Sequence, residues 1–159
     1  MKGQAMTDTR QVLEEAIGLA LFAHSGQRDK GGNPYILHPL RVMSRMVGED
    51  HQVAAVLHDV VEDSDVDLVD IAGQFGTKIA DAVDALTRRD GEDYMAFIDR
   101  CAANPIAAKV KMADLEDNMD IRRLGRALTD EDARRQAKYS RARGRLAQAC
   151  LKARENADV

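Results

Sequence analysis

Apolar residues recur along this chain at intervals of three and four, and no stretch alternates apolar and polar side chains as a half-buried strand does. The pattern predicts an all-α fold. Val12, Ala16, Leu19 and Ala23 form one helical stripe from about residue 9, widened by Leu13, Ile17, Ala20 and Leu21 and stopped by Gly26. Residues 26–39 read GQRDKGGNPYILHP, where three glycines and two prolines exclude a regular helix and predict an ordered loop. Short helices are expected over 39–47 and 51–62, the second capped by Asp50, whose side-chain oxygen can accept first-turn N–H groups. Ser64, with Asp67 three residues on, predicts the cap of a helix ending before Gly76. Thr77 opens the next, with Ile79, Ala80, Val83 and Leu86 on one side, and it ends before the turn at Asp90-Gly91. Another short helix carries Tyr94, Phe97 and Ile98. Asn104-Pro105 is a cap followed by proline at the first helical position, predicting a helix over 105–118. Thr129 and Asp132 start a last helix, reaching about residue 154.

Composition sets the size and charge limits. With 159 residues, 45% of them hydrophobic, residues 1–159 are expected to form a single compact helical bundle around one core. The C-terminal helix is expected over about 130–154. The chain has 23 basic and 27 acidic side chains and a net charge of −4, which excludes a global positive field for nucleic acid or an anionic membrane. Arg134, Arg135, Lys138, Arg141, Arg143 and Arg145 form a basic run, but only Tyr139 interleaves as an aromatic, so they read as a solvated face. No apolar run approaches the roughly 20 residues of a membrane span, and residues 1–10 lack an apolar signal core, so the cytoplasm is the expected compartment. Cys101 and Cys150 have no thiol or histidine at ligand spacing and read as buried apolar residues.

The stretch AAVLHDVVEDSD, residues 54–65, plants His58, Asp59, Glu62 and Asp63 among Val56, Leu57, Val60 and Val61. On one continuous helix His58 stacks with Glu62 and Asp59 with Asp63, making two adjacent polar rows. Four ionisable groups in an apolar helix are costly to bury unless they are paired or bind a metal. His38 ends the ordered loop, and Asp114 sits in VKMADLEDN, again surrounded by apolar residues. Two imidazoles and two carboxylates without thiolate suit a borderline-to-hard divalent ion; Mn²⁺ is expected, and Fe²⁺, Co²⁺ or Zn²⁺ fit the same donors. Such an ion lowers the pKa of bound water and polarises a phosphoryl oxygen, the chemistry of phosphate ester or anhydride hydrolysis. Arg28, Lys30 and Arg41 bracket the loop as candidate polyphosphate cations, and Arg122 joins them if the helix bearing Asn118 continues by a turn. Arg123 and Arg126 read as facing water, and His24 and His51 as structural.

Three motifs carry a family likeness: the loop GQ…G-x-PYILHP ending in His38, the HDxxED of residues 58–63, and the KMADLEDN of residues 111–118. Together, over about residues 23–123, they resemble the HD-domain metal-dependent phosphohydrolases, and more narrowly the hydrolase domain of RelA/SpoT-type alarmone enzymes and their small stand-alone relatives. The resemblance implies an HD-type helical bundle with His38, His58, Asp59 and Asp114 as metal ligands. It makes Glu62 and Asp63 the catalytic acid/base pair and puts Asn118 near the bound nucleotide. The implied reaction is that of a guanosine-3′,5′-bis(diphosphate) 3′-pyrophosphohydrolase, with a small phosphorylated nucleotide as partner and neither nucleic acid nor membrane. Monomer and homo-oligomer both stay open, and 159 residues leave no room for a synthetase half. Two positions depart from the alarmone pattern: Asp29 stands where an arginine often faces the guanine ring, and Leu115 where a basic residue often follows the metal-binding aspartate. Another nucleotide, such as NADPH, and a non-catalytic nucleotide sensor are the rival readings; the intact Glu62-Asp63 pair argues against the sensor.

Overall fold

Every regular element among the described residues, 9–157 of the computed structural model, is helical. The first eight residues, most of the polar N-terminal stretch, and the last two lie outside them. The order is α1 (Thr9–Ala23), α2 (Leu37–Ser44), α3 (Glu49–Leu57), α4 (Val60–Asp63), α5 (Leu68–Phe75), α6 (Thr77–Leu86), α7 (Tyr94–Ala103), α8 (Pro105–Asn118) and α9 (Asp130–Ala157). A 3-10 turn, Ile121–Leu124, links α8 to α9.

Two apolar clusters meet across α3. One gathers Val42, Leu86, Phe97, Ile98, Val110 and Leu146, from α2 and α6 to α9; the other gathers Ala16, Ala20, Val60, Ile71 and Val83, chiefly from α1 and α4 to α6. Ala54 and Ala55 of α3 belong to the first, and Val53, Val56 and Leu57 to the second. Residues 53–57 of α3 are apolar and buried on all sides, so α3 is the central element and its C-terminal end lies deep in the protein.

Several caps form as the sequence predicts. Asn104 Oδ1 accepts the N–H groups of Ile106 and Ala107, and Thr129 and Asp132 bond reciprocally at the start of α9. Others differ. Gly48, at φ 93°, precedes α3, whereas Asp50 lies in its first turn and pairs with Lys78. Asp67 rather than Ser64 caps α5, because the Ser64 hydroxyl donates to Val60 O at 2.7 Å. The second helix begins at Leu37 rather than residue 39, and α9 runs three residues past 154.

The predicted helix over 51–62 is broken at His58 and Asp59. Both the backbone N–H of His58 (3.4 Å) and its ring Nδ1 (2.6 Å) turn onto Ala55 O, the carbonyl that the Asp59 N–H would need to continue the helix. Asp59 then takes φ −106°, ψ −1°, and α4 restarts as a single turn. His58 and Glu62 therefore do not stack on one continuous helix.

Candidate metal centre and substrate cavity

The loop before α2 is built to deliver two side chains inward. Asp29 Oδ1 accepts the N–H groups of Gly31 and Asn33, Tyr35 N–H donates to Gln27 O, and an isolated bridge joins Arg28 to Pro34. At Gly31 a Cβ would lie 2.4 Å from the backbone oxygen of Arg123, so only glycine lets the loop rest on the 3-10 turn. With the loop so held, Tyr35 and His38 point to the broken end of α3, opposite Asp114 of α8.

There the donors converge. His38 Nδ1 lies 2.7 Å from Asp117 Oδ2 and His58 Nδ1 lies 2.6 Å from Ala55 O. A carboxylate and a carbonyl can only accept, so each Nδ1 carries a proton and, in the neutral imidazole, each Nε2 presents a lone pair. Both lone pairs face carboxylate oxygens: His38 Nε2 is 3.1 Å and His58 Nε2 3.6 Å from Asp114 Oδ1, while Asp59 Oδ2 is 3.7 Å and 3.0 Å from the same two nitrogens. Donors of His38, His58 and Asp114 all lie within 4.8 Å of one another. Lone pairs directed at carboxylates repel unless a cation stands between them, and His58 Nε2 has no hydrogen-bond partner despite full burial. The residues fit a divalent ion.

Surrounding groups hold these donors. The Tyr35 hydroxyl donates to Asp59 Oδ2, Asn118 Nδ2 to Asp114 Oδ1 at 2.7 Å, and Lys111 Nζ to Asp114 Oδ2 at 2.8 Å. Without a metal, protons take the ion's place. Burial works against the His38 and His58 imidazolium forms, but the carboxylates around them outweigh it and raise both. Burial likewise opposes charge on Asp114, yet Lys111 and the two histidines hold it well below the usual carboxylate range. Glu62 and Asp63 move the other way, pushed up by burial and by Asp59.

His38, Asp59 and Asp114 line a cavity of about 450 Å³, and His58 is buried behind them. Glu62, Lys30 and Asn118 line it, as do Arg28 and Tyr35. Asp63 is one residue beyond Glu62 on the exposed side of α4 and does not line it. Arg41 is turned away: its Nε and Nη2 donate to Asp117 at 2.8 and 3.0 Å, which makes it a support of the His38 partner rather than a phosphate contact. Arg122 is also turned away from the cavity. The helix stops at Asn118, and Arg122 reaches back to Asp120 with its side chain 87% exposed. Arg123 takes the inward place, against Asp117 at 3.2 Å and Asp29 at 3.8 Å. Two cations of α9 read as solvated, Arg135 and Lys138, line the cavity with Tyr139.

Sequence reasoning passed over Asp117, Tyr35 and Lys111, although all three lie inside the quoted motifs. Asp117 had a signal, a second carboxylate one turn after Asp114, but its role depends on residues far away in the chain. Leu115, by contrast, is fully buried in the core, so its position does not face the cavity.

The HD domain family matches residues 16–138. The chain belongs to it. Members of the HD family bind divalent metals, in keeping with the donor set of His38, His58 and Asp114. Among curated relatives, this HD domain is 33% identical to a guanosine-3′,5′-bis(diphosphate) 3′-pyrophosphohydrolase of Aquifex aeolicus, over 67% of this chain and 17% of the relative. It is also 33% identical to a GTP pyrophosphokinase of Streptomyces coelicolor, over 80% of this chain and 17% of the relative. The HD domain thus spans less than a fifth of the length of these two relatives. Among solved structures, a metazoan ortholog of SpoT described as hydrolysing ppGpp superposes with a TM-score of 0.64 at 24% identity, covering 96% of this chain and 97% of that one. This likeness shows the all-α HD fold.

Proposed function

We propose that this HD domain is a metal-dependent phosphohydrolase of a phosphorylated nucleotide, acting as a guanosine-3′,5′-bis(diphosphate) 3′-pyrophosphohydrolase with Mn²⁺ as its resident ion. One observation carries the reading: the Nε2 atoms of His38 and His58 meet the carboxylates of Asp59 and Asp114 beside a cavity lined by Lys30, Lys111, Arg135 and Lys138. Relatives named for guanosine 3′,5′-bis(diphosphate) hydrolysis support the substrate. A divalent ion held by His38, His58, Asp59 and Asp114 supplies Lewis acidity to a phosphoryl oxygen and acidifies water.

The chain's own residues do the rest. Lys111 lies against Asp114 and, with Lys30 and Lys138, balances the charge of a polyphosphate at the cavity wall. Glu62, whose carboxyl is raised by burial, takes a proton from the attacking water and returns it to the departing ribose oxygen as pyrophosphate leaves. Asp63 stands beside it as the second member of the pair. Tyr35 and Asn118 hold the Asp59 and Asp114 oxygens in place. The reading takes residues 1–159 as one hydrolase unit of the cytoplasm; among the described residues no helix is long and apolar enough to cross a membrane.

The test is pyrophosphate and phosphate release over a nucleotide panel, with Mn²⁺ added and then chelated. Mn²⁺-dependent pyrophosphate release from guanosine 3′,5′-bis(diphosphate) is the expected result. Release only from NADPH or another nucleotide overturns the substrate, and no release from any of them overturns the activity.

A further inference from the structure

Glu62 sits on a helix of a single turn, which cannot by itself hold a side chain in one orientation. Its Oε1 accepts the backbone N–H of Arg88, 26 residues away, at 2.5 Å. Arg88 belongs to the connection between α6 and α7, residues 87–93, whose sequence TRRDGED offers no large apolar side chain to anchor it. Charge anchors it instead. Arg100 of α7 grips the Glu92 carboxylate with Nε at 2.6 Å and Nη2 at 2.9 Å. The same guanidinium donates to Asp84 O at 3.0 Å and Thr87 O at 2.8 Å, the last carbonyls of α6 and its end. Glu92 Oε2 accepts the Arg89 N–H at 3.0 Å, and Glu92 O accepts Arg88 Nε at 3.1 Å and Nη2 at 2.7 Å.

This is more than a surface ion pair. The Arg100 and Glu92 side chains are only 24% and 14% exposed, and the fork satisfies both carboxylate oxygens while crossing to two backbone carbonyls. Each bond fixes the backbone on one side or the other of Arg88. We propose that Glu92 and Arg100 are positioning residues for the reaction: they brace the α6–α7 connection so that the Arg88 N–H holds the Glu62 carboxylate toward the cavity. The inference rests on the role given to Glu62 under the proposed function.

The test uses Glu92→Gln, which keeps the shape of the side chain, and Arg100→Lys, which keeps the charge but loses the fork. Steady-state kinetics on the nucleotide the unmodified protein hydrolyses should show kcat reduced about tenfold, with KM within about twofold, because a displacement of about 1 Å at the reacting group costs up to about 10²-fold. In a Glu62→Gln background, Glu92→Gln should cause no further loss, since the brace acts only through that carboxylate. Amide exchange on the metal-free chain supplies a readout apart from activity: the Arg88 amide should exchange about tenfold faster in Glu92→Gln, with Val83 and Ile98 unchanged. Unchanged kcat, an equal loss in the Glu62→Gln background, or unchanged Arg88 exchange each overturns the proposal. If the unmodified protein hydrolyses no nucleotide, the proposed activity and the catalytic part of this inference fall together, and the exchange result then decides the brace alone.

Discussion

Asp117 offers the sharpest test of how the site is held. Its side chain is 1% exposed and meets His38 Nδ1 at 2.7 Å, Arg41 Nε at 2.8 Å and Arg123 Nη2 at 3.2 Å. Burial opposes its charge, but His38, Arg41 and Arg123 together hold its carboxyl far below the usual range. Asp117→Asn keeps the volume and removes the charge. One amide edge then presents N–H groups, so either an arginine loses its acceptor or His38 must move its proton to Nε2, the atom directed at the metal position. Loss of such an outer partner costs about 10- to 100-fold in metal affinity, about 1.4–2.8 kcal/mol. The arginines retain partial solvent contact, so the added cost in folding is about 1–3 kcal/mol rather than that of a fully buried charge. Calorimetric Mn²⁺ titration and thermal unfolding of the metal-free chain measure the two effects. Metal affinity within twofold of the unmodified protein, in a folded variant, would refute the assigned role.

In the metal-free chain His38 and His58 are raised above the ordinary imidazole value of about 6.5. Their contribution to stability is therefore complete below about pH 6.5 and is lost as pH rises through the folded values. Thermal scans should show the metal-free chain losing stability above neutrality, while Mn²⁺ affinity rises over the same range because binding displaces those protons; stability that climbs with pH contradicts the imidazole assignment. Glu62→Gln should retain the metal and lose about 10²-fold or more in turnover, the scale of a positioned acid/base; full turnover would make the residue structural. Gly31→Ala forces a Cβ to 2.4 Å from the Arg123 carbonyl, so the loop must shift, with a stability loss of about 1–3 kcal/mol and a raised KM. Unchanged melting and kinetics in that variant would mean the contact between loop and 3-10 turn has no consequence.

Much of the molecule is legible in local pattern. The stripe of α1 apart from Leu21, which is exposed, the Asn104-Pro105 start of α8 and the Thr129–Asp132 start of α9 each depend on residues within one or two helical turns, and each forms as predicted. The chemistry of the site is legible for a similar reason: imidazoles and carboxylates set among apolar residues are conspicuous wherever the chain takes them. Partnership is not. The break of α3 follows from the His58 ring competing for Ala55 O, which helical periodicity does not register. Arg122 and Arg123 are adjacent in sequence, yet the 3-10 turn sends one to solvent and the other to Asp117. Arg135 and Lys138 look like any solvated helix face until α9 packs beside α7 and α8 and turns them to the cavity. His38 and Asp117 are 79 residues apart, and nothing near either one names the other. Sequence by itself determined that the chain is helical, the starts of α8 and α9 and the kind of donors this HD domain carries, because those depend on backbone propensity and burial within a few residues. Which cation faces the cavity, which braces a carboxylate and which carboxylate meets His38 were decided only when α2, α3, α8 and α9 packed, because hydrogen bonds reach about 3 Å and only tertiary contact brings such distant residues that close.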